Sequence, residues 1–204
     1  MDELAAAVIH DVKNQLAELA LRLERRGDCA GETDIAFAAA RRLTGLLLVQ
    51  RQQAGTLRLN VDSGCPGDLL QELAAEYRAL FPALDISLET EAAPAFWFYD
   101  AALLRLALGN AIHNACRHAR AAVRLRAQEQ DGQLEFGITD DGPGFPQEML
   151  AQELRAAPMP ASRHGTGLGL YLAARIAELH QNGGNSGNTE LRNGQGAIFL
   201  LRLP

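Results

Sequence analysis

Two glycine-rich turns in the C-terminal half of the chain have the residue types that a phosphate-binding site requires. The first is Asp140-Asp141-Gly142-Pro143-Gly144, and the second is Gly165-Thr166-Gly167-Leu168-Gly169-Leu170, which leads into an amphipathic stretch. Alternating glycines let a backbone pass close to phosphates because no Cβ stands in the way. A helix that follows such a turn offers unpaired N–H groups and a positive dipole end to an anion. Together the two turns predict a nucleotide pocket.

A third group of polar residues precedes the turns. Asn110 and Asn114 are four residues apart, so on a helix they share one face with Arg117. Two amide oxygens and a guanidinium are the groups that a magnesium-bound triphosphate requires. A helix face that is merely solvated would show the same pattern, and it is the neighbouring glycine turns that favour nucleotide binding.

The elements that must position these residues follow from hydrophobic periodicity and from turn signals. The pattern predicts helices over 66–80, 100–118 and 168–179, and strands over 57–61, 86–89, 123–127, 134–140 and 197–203, with 181–188 as a loop. Helices and strands that alternate in this way indicate an α+β fold, with a mixed sheet covered by helices on one face.

The N-terminal quarter has a different pattern. Apolar residues at steps of three and four predict helices over 2–26 and 33–53, which a short loop joins into an antiparallel hairpin. A hairpin with one apolar stripe per helix has too little mass for a core, so we expect a homodimer with a four-helix bundle. We therefore divide the chain into a dimerisation domain, 1–55, and a second domain, 56–204.

Composition limits the classes of function. The chain has 204 residues, 48% of them hydrophobic, and a net charge of -6, which makes nucleic acid an unexpected partner. Three cysteines without metal-ligand spacing fit reduced thiols. The N-terminal residues are too highly charged for a signal peptide, and no apolar run approaches the about 20 residues of a membrane span. We expect a soluble, cytoplasmic protein.

The three polar motifs, in this order, resemble the N box and the two glycine boxes of the ATP-binding domain of sensor histidine kinases. The broader GHKL group includes gyrase, Hsp90 and MutL. The resemblance implies that Asn114 ligates Mg²⁺, that Asn110 and Arg117 face the phosphates, and that Asp140 accepts the adenine amino group. It also implies that the remaining ATP contacts come from the glycine boxes, at Gly142, Gly144, Gly165, Thr166, Gly167, Leu168 and Gly169, with 145–164 as the ATP lid.

A candidate phosphoryl acceptor lies on the first predicted helix. The stretch His10-Asp11-Val12-Lys13-Asn14-Gln15-Leu16 is similar to the HExxN phospho-acceptor box of histidine kinases. On a helical wheel the apolar stripe centres near Leu19, and His10 and Asn14 fall on the opposite side, which predicts that they face solvent. Asp11 would orient the imidazole and take its proton, and Asn14 would position a water that hydrolyses a phospho-aspartate. An exposed histidine is usually only solvated, so the linked motifs carry this assignment.

The resemblance implies an ATP-dependent protein-histidine kinase of a two-component system. It would pass phosphate from ATP to His10 and then to an aspartate of a response regulator, with regulator phosphatase as a further activity. Its input would come from a separate sensor protein or from sequence outside these 204 residues. In relatives that hydrolyse ATP a carboxylate stands at position 110, and an amide cannot act as that base. Two alternatives stay open: a serine kinase resembling anti-sigma factors, and a non-enzymatic phosphotransfer or scaffold protein whose ATP site has decayed.

Overall fold

The computed structural model describes residues 58–150 and 168–204, together with the isolated positions Leu16, Leu19, Ala39 and Leu43, all four of which are helical. The chain divides into two compact units, residues 1–58 and 59–204. The predicted hairpin lies almost entirely outside the described residues, and so do His10, Asp11 and Asn14. The fold is therefore that of the second unit.

Four helices are described in the second unit: α1 (Pro66–Leu80), α2 (Ala101–His118), α3 (Gln147–Leu150) and α4 (Leu168–Leu179). The strands in the same ranges are β1 (Asp62–Gly64), β2 (Asp85–Glu89), β3 (Trp97–Tyr99), β4 (Ala122–Gln130), β5 (Gln133–Asp140), β6 (Gln181–Asn182), β7 (Asn185–Ser186), β8 (Asn188–Asn193) and β9 (Ala197–Leu203).

Five of these strands form one mixed sheet in the order β2-β4-β5-β9-β8. The β2–β4 pair is parallel and the other pairs are antiparallel, while β1–β3 and β6–β7 are separate two-stranded ribbons. Alternate residues of the central strands, such as Leu125, Phe136 and Leu201, are fully buried. Helices α1, α2 and α4 contact these strands, so the core lies between the helices and one face of the sheet.

The opposite face of the sheet is held together by charge. Glu135 is buried there and accepts hydrogen bonds from Arg126 Nη2 at 3.2 Å, Gln128 Nε2 at 2.9 Å and Arg202 Nε at 2.7 Å. Arg202 also pairs with Glu190 on β8. These bonds satisfy a carboxylate that burial would otherwise destabilise. The α+β fold, with a mixed sheet and helices against one face, is as predicted.

Most element bounds agree with the sequence-based prediction, and two assignments were wrong. Residues 58–61 form no strand, because the Asn60 N–H donates to Asp100 Oδ2 at 2.9 Å and pairing with β3 begins only at Asp62. The predicted loop over 181–188 contains the β6–β7 hairpin, which turns through Gly183 and Gly184 at φ of 57° and 85°. Strands β3 and β8 had not been predicted.

Candidate nucleotide-binding site

Helix α2 carries the predicted polar residues, and its N-terminus is firmly held. The Asp100 side chain caps the helix by accepting the Leu103 N–H at 3.0 Å, and the Asp100 N–H donates to His180 Nε2 at 3.0 Å. Leu104, Leu108 and Ile112, spaced at four residues, are fully buried and fix the rotation of the helix.

The rotation of α2 leaves its polar residues at the edge of the core. Asn110 and Asn114 are half-buried, and Arg117 is exposed in the last turn. No hydrogen bond or ion pair joins Arg117 to another residue in the described ranges.

The start of α4 lies against the asparagine pair. A Cβ added at Gly169 would stand 3.4 Å from Asn110 Cβ and 3.9 Å from Asn114 Nδ2. The second glycine box and the N box therefore meet at this point, as the resemblance requires. Leu168 is the first residue of α4, and Gly165, Thr166 and Gly167 lie outside the described residues.

Asp140 ends strand β5 and is only 6% exposed. Its Oδ1 accepts the Gly142 N–H at 2.8 Å and the Ala197 N–H at 3.3 Å. The structure shows no bond to Oδ2 from the described parts of the chain, so one oxygen is fixed by the protein and the second can accept a ligand's donor. These two hydrogen bonds from backbone N–H groups orient the carboxylate before any ligand binds.

The first glycine box follows directly and depends on glycine at two positions. A Cβ at Gly142 would collide with the backbone carbonyl of His118, at the C-terminal end of α2. Gly144 has a φ of 82°, which lies in the left-handed region that favours glycine. The first glycine box therefore packs against the C-terminal end of α2, the helix that carries Asn110 and Asn114.

Two acidic or ionisable neighbours have structural roles. Asp141 accepts the Arg120 N–H at 2.7 Å and the Ala121 N–H at 3.1 Å, and these bonds, chiefly that from Ala121, hold its pKa below the usual range. Burial, followed by the Asp140 carboxylate, raises the pKa of the Cys116 thiol to about 12. The Cys116 thiol therefore stays protonated in the core and is not a nucleophile.

Sequence reasoning missed the β8–β9 turn, which contacts both ends of the first glycine box. Asn193 Oδ1 accepts the Phe145 N–H at 2.8 Å, and Asn193 Nδ2 donates to the Phe145 carbonyl at 2.9 Å. At the other end of the box, a Cβ on Gly196 would collide with the backbone of Asp140. The Gly194-Gln195-Gly196 spacing was a visible signal of a tight turn, although its partner could not be read from it.

These features fit a nucleotide. The buried carboxylate of Asp140 has one oxygen bound to backbone amides. The side-chain amides of Asn110 and Asn114 lie beside the N-terminal turn of α4, and an added Cβ at Gly142 would fill the adjoining space. Among the residues that the structure describes, no group of three or more His, Cys, Asp and Glu could hold a metal ion.

Comparison with known proteins agrees with this geometry. Residues 99–204 match the model of the histidine kinase-, DNA gyrase B- and HSP90-like ATPases. The chain belongs to this family. The predicted resemblance to the ATP-binding domain of sensor histidine kinases is confirmed, and the fold is the one that this family shares.

Three relatives illustrate the match. The histidine-protein kinase AfsQ2 of Streptomyces coelicolor is 33% identical over 165 residues, which cover 78% of this chain and 29% of that protein. The ATP-binding domain of PrrB from Mycobacterium tuberculosis is 32% identical, with a TM-score of 0.54, over 71% of this chain and 97% of that one. Full-length ShkA, solved with AMPPNP, has the same fold at 23% identity and a TM-score of 0.69, over 99% of this chain and 45% of that one.

The chain spans about a third of the length of the curated relatives that it matches. In the described ranges, no helix is both long enough and apolar enough to cross a membrane.

Proposed function

We propose that this chain is the catalytic core of a two-component sensor histidine kinase. It binds ATP with Mg²⁺, transfers the γ-phosphoryl group to His10, and passes it on to an aspartate of a response-regulator receiver domain. The observation that carries the proposal is the contact of Gly169 with Asn110 and Asn114, because it joins two motifs that are far apart in the chain. Family membership and kinase relatives such as AfsQ2 support it.

Each site residue has a role that follows from its environment. The free Oδ2 of Asp140 accepts the adenine amino group, since Oδ1 is already bound to two backbone amides. The amide oxygen of Asn114 ligates Mg²⁺, while Asn110 and Arg117 face the phosphates. The backbone of Gly142 and Gly144, where an added Cβ would meet neighbouring atoms, leaves room for the nucleotide, and we assign the remaining phosphate contacts to the second glycine box, Gly165 to Gly169. The N-terminus of α4 adds a favourable dipole for the phosphates.

The site favours transfer to a protein over hydrolysis. ATP supplies the phosphoryl group and Mg²⁺ balances its charge. Asn110 cannot remove a proton from water, because an amide has no basic site at neutral pH. The acceptor must therefore bring its own nucleophile.

His10 supplies that nucleophile through an imidazole nitrogen, which bonds to phosphorus as the bond to the ADP oxygen breaks. Asp11 holds the ring and accepts its proton. On the helix that the sequence predicts over 2–26, Asn14 would lie one turn from His10 and would position water for the phosphatase reaction on the regulator.

A homodimer through residues 1–55 completes the proposal. Leu19, at the centre of the predicted apolar stripe, is helical and 47% exposed in the single chain, which supports a partner surface there. Light scattering should report about twice 22.0 kDa, and a chain lacking residues 1–55 should be monomeric. A monomeric full chain at micromolar concentration would overturn this arrangement. A separate sensor protein and a cytoplasmic location belong to the same proposal.

The deciding experiment is incubation with γ-labelled ATP. We expect label on the wild type that is lost in acid and stable in alkali, as phosphohistidine requires, and no label on His10→Gln. Asn14→Ala should still be labelled but should fail to dephosphorylate the regulator. Alkali-labile label that persists in His10→Gln would refute the proposal and point to a serine kinase. ATP binding without label, and without regulator phosphatase activity, would indicate a scaffold.

A further inference from the structure

A cleft of about 780 Å³ lies on the second unit where β3, the end of β4 and the end of α4 meet. Phe96, Trp97 and Phe98 form its aromatic side, and Leu179 and His180 lie at the end of α4. None of the proposed nucleotide-binding residues lines it.

The aromatic side of the cleft projects into solvent. Phe96 and Phe98 are 62% and 61% exposed, and Val61, which also lines the cleft, is 48% exposed. The two phenyl rings contact each other edge to face, with centroids 6.2 Å apart. Exposed apolar side chains that cluster in one place mark an interaction surface. Because these rings are more than half exposed, a small molecule enclosed in the cleft would leave them in solvent. A protein segment that lies across the surface would cover them.

The cleft also carries a negative charge. Glu129 continues the inward-facing series Val123, Leu125 and Ala127 on β4, and its carboxylate therefore lies on the apolar side of the sheet, at the cleft. Glu129 makes no ion pair with any described residue, and the lining contains no lysine or arginine. An apolar surface with one unpaired carboxylate is complementary to an apolar group beside a cation.

Guanidinium fits this surface better than ammonium. Its plane stacks on aromatic rings and its donors bond a carboxylate in a bidentate manner, whereas ammonium is a compact, strongly hydrated charge. We propose that the cleft is a docking site for a partner-protein segment that places an arginine next to an apolar side chain. The inference does not depend on nucleotide binding.

The 204-residue chain provides its own reporter, because Trp97 is its sole tryptophan and lies in the cleft. The probes are acetyl-Phe-Arg-amide and acetyl-Phe-citrulline-amide, which have the same shape and differ in charge. We expect a saturable change in Trp97 fluorescence with both peptides. The arginine peptide should bind about fivefold more tightly, which is the gain expected from an exposed ion pair with a stacked ring.

Two variants test the assignment. Glu129→Gln should abolish the preference for arginine, whereas Glu148→Gln, a matched change on α3 outside the cleft, should preserve it. A variant that combines Phe96→Ser and Phe98→Ser should bind both peptides more weakly than the wild type. Equal affinity of the two peptides for the wild type, a preference that survives Glu129→Gln, or no fluorescence change at all would overturn the proposal. Calorimetry with ATP on the same samples reports separately on the nucleotide site.

Discussion

Replacing Asn193 by alanine should weaken ATP binding without touching any residue of the predicted motifs. The side chain of Asn193 holds Phe145 through two hydrogen bonds, one from the Phe145 N–H at 2.8 Å and one to its carbonyl at 2.9 Å. It therefore fixes the end of the glycine turn that starts at Asp140. In Asn193→Ala this end is released, and the nucleotide must order it on binding.

The magnitude follows from the two bonds. Each is worth about 0.5–1.5 kcal/mol net, and both are exposed, so about 1.4 kcal/mol for the pair is a reasonable total. If ATP must order the released turn when it binds, this loss of about 1.4 kcal/mol raises the dissociation constant for ATP about tenfold. Calorimetric titration of the 204-residue chain with ATP and Mg²⁺ measures this change directly. Asn185→Ala, the same change in the β6–β7 hairpin, is the matched control and should bind like the wild type.

A second variant tests the contact itself. A Cβ at Gly144 would stand 2.8 Å from Asn193 Oδ1, so Gly144→Ala suffers both this clash and the cost of its positive φ. In an Asn193→Ala background the clash disappears and only the backbone cost remains. The combined loss of affinity should therefore be smaller than the sum of the two single losses. If Asn193→Ala binds ATP within about twofold of Asn185→Ala, or if the two losses are strictly additive, the reasoning about this turn is wrong.

Three further outcomes are expected. Asn114→Ala should abolish Mg²⁺-dependent nucleotide binding in calorimetry while the far-ultraviolet circular dichroism stays unchanged; wild-type affinity in that variant would remove Asn114 from the site. Gly142→Ala should lower the free energy of unfolding by about 1–3 kcal/mol in urea titrations, since its Cβ meets the His118 carbonyl, whereas Gly67→Ala, with no atom nearer than 3.7 Å, should not. Because amide bonds hold the pKa of Asp141 low, the stability that this group contributes is present at neutral pH and is lost as the pH falls through that lowered pKa. Asp141→Asn should remove this component from the acid-unfolding curve, and an unchanged curve would contradict the assignment.

Local patterns predicted the elements whose hydrophobic spacing is long and regular. In α1 the buried residues Leu69, Leu70, Leu73 and Tyr77 fall on one helical face, and β9 is a run of apolar residues from Ala197 to Leu203 that only Arg202 interrupts. The short strand β3 was not predicted, because its three residues are too few to establish a period. Strand β8 is polar and half-exposed along its length, so it lacks the alternation that identifies a strand.

The same distinction applies to the site. Asp140, Gly142 and Gly144 are adjacent in the chain, so their spacing was visible before the fold was known. The contact of Asn193 with Phe145 joins residues 48 positions apart, and it depends on the register of β8 against β9 and of β9 against β5. No local pattern encodes that register. Asp141 shows the same limit: its carboxylate accepts hydrogen bonds from backbone N–H groups of the α2–β4 connection, about 20 residues away in the chain.

The position of β9 has a consequence for how the protein is made. Although β9 is the last strand along the chain, it lies inside the sheet, between β5 and β8. Until the ribosome has released residues 197–203, strand β5 has an open backbone edge and Asp140 lacks its bond from the Ala197 N–H. Nascent chains should therefore be unable to bind nucleotide, and they expose an apolar strand edge that chaperones can recognise. Completion of the sheet and completion of the binding site are then the same event, and both require residues 197–203.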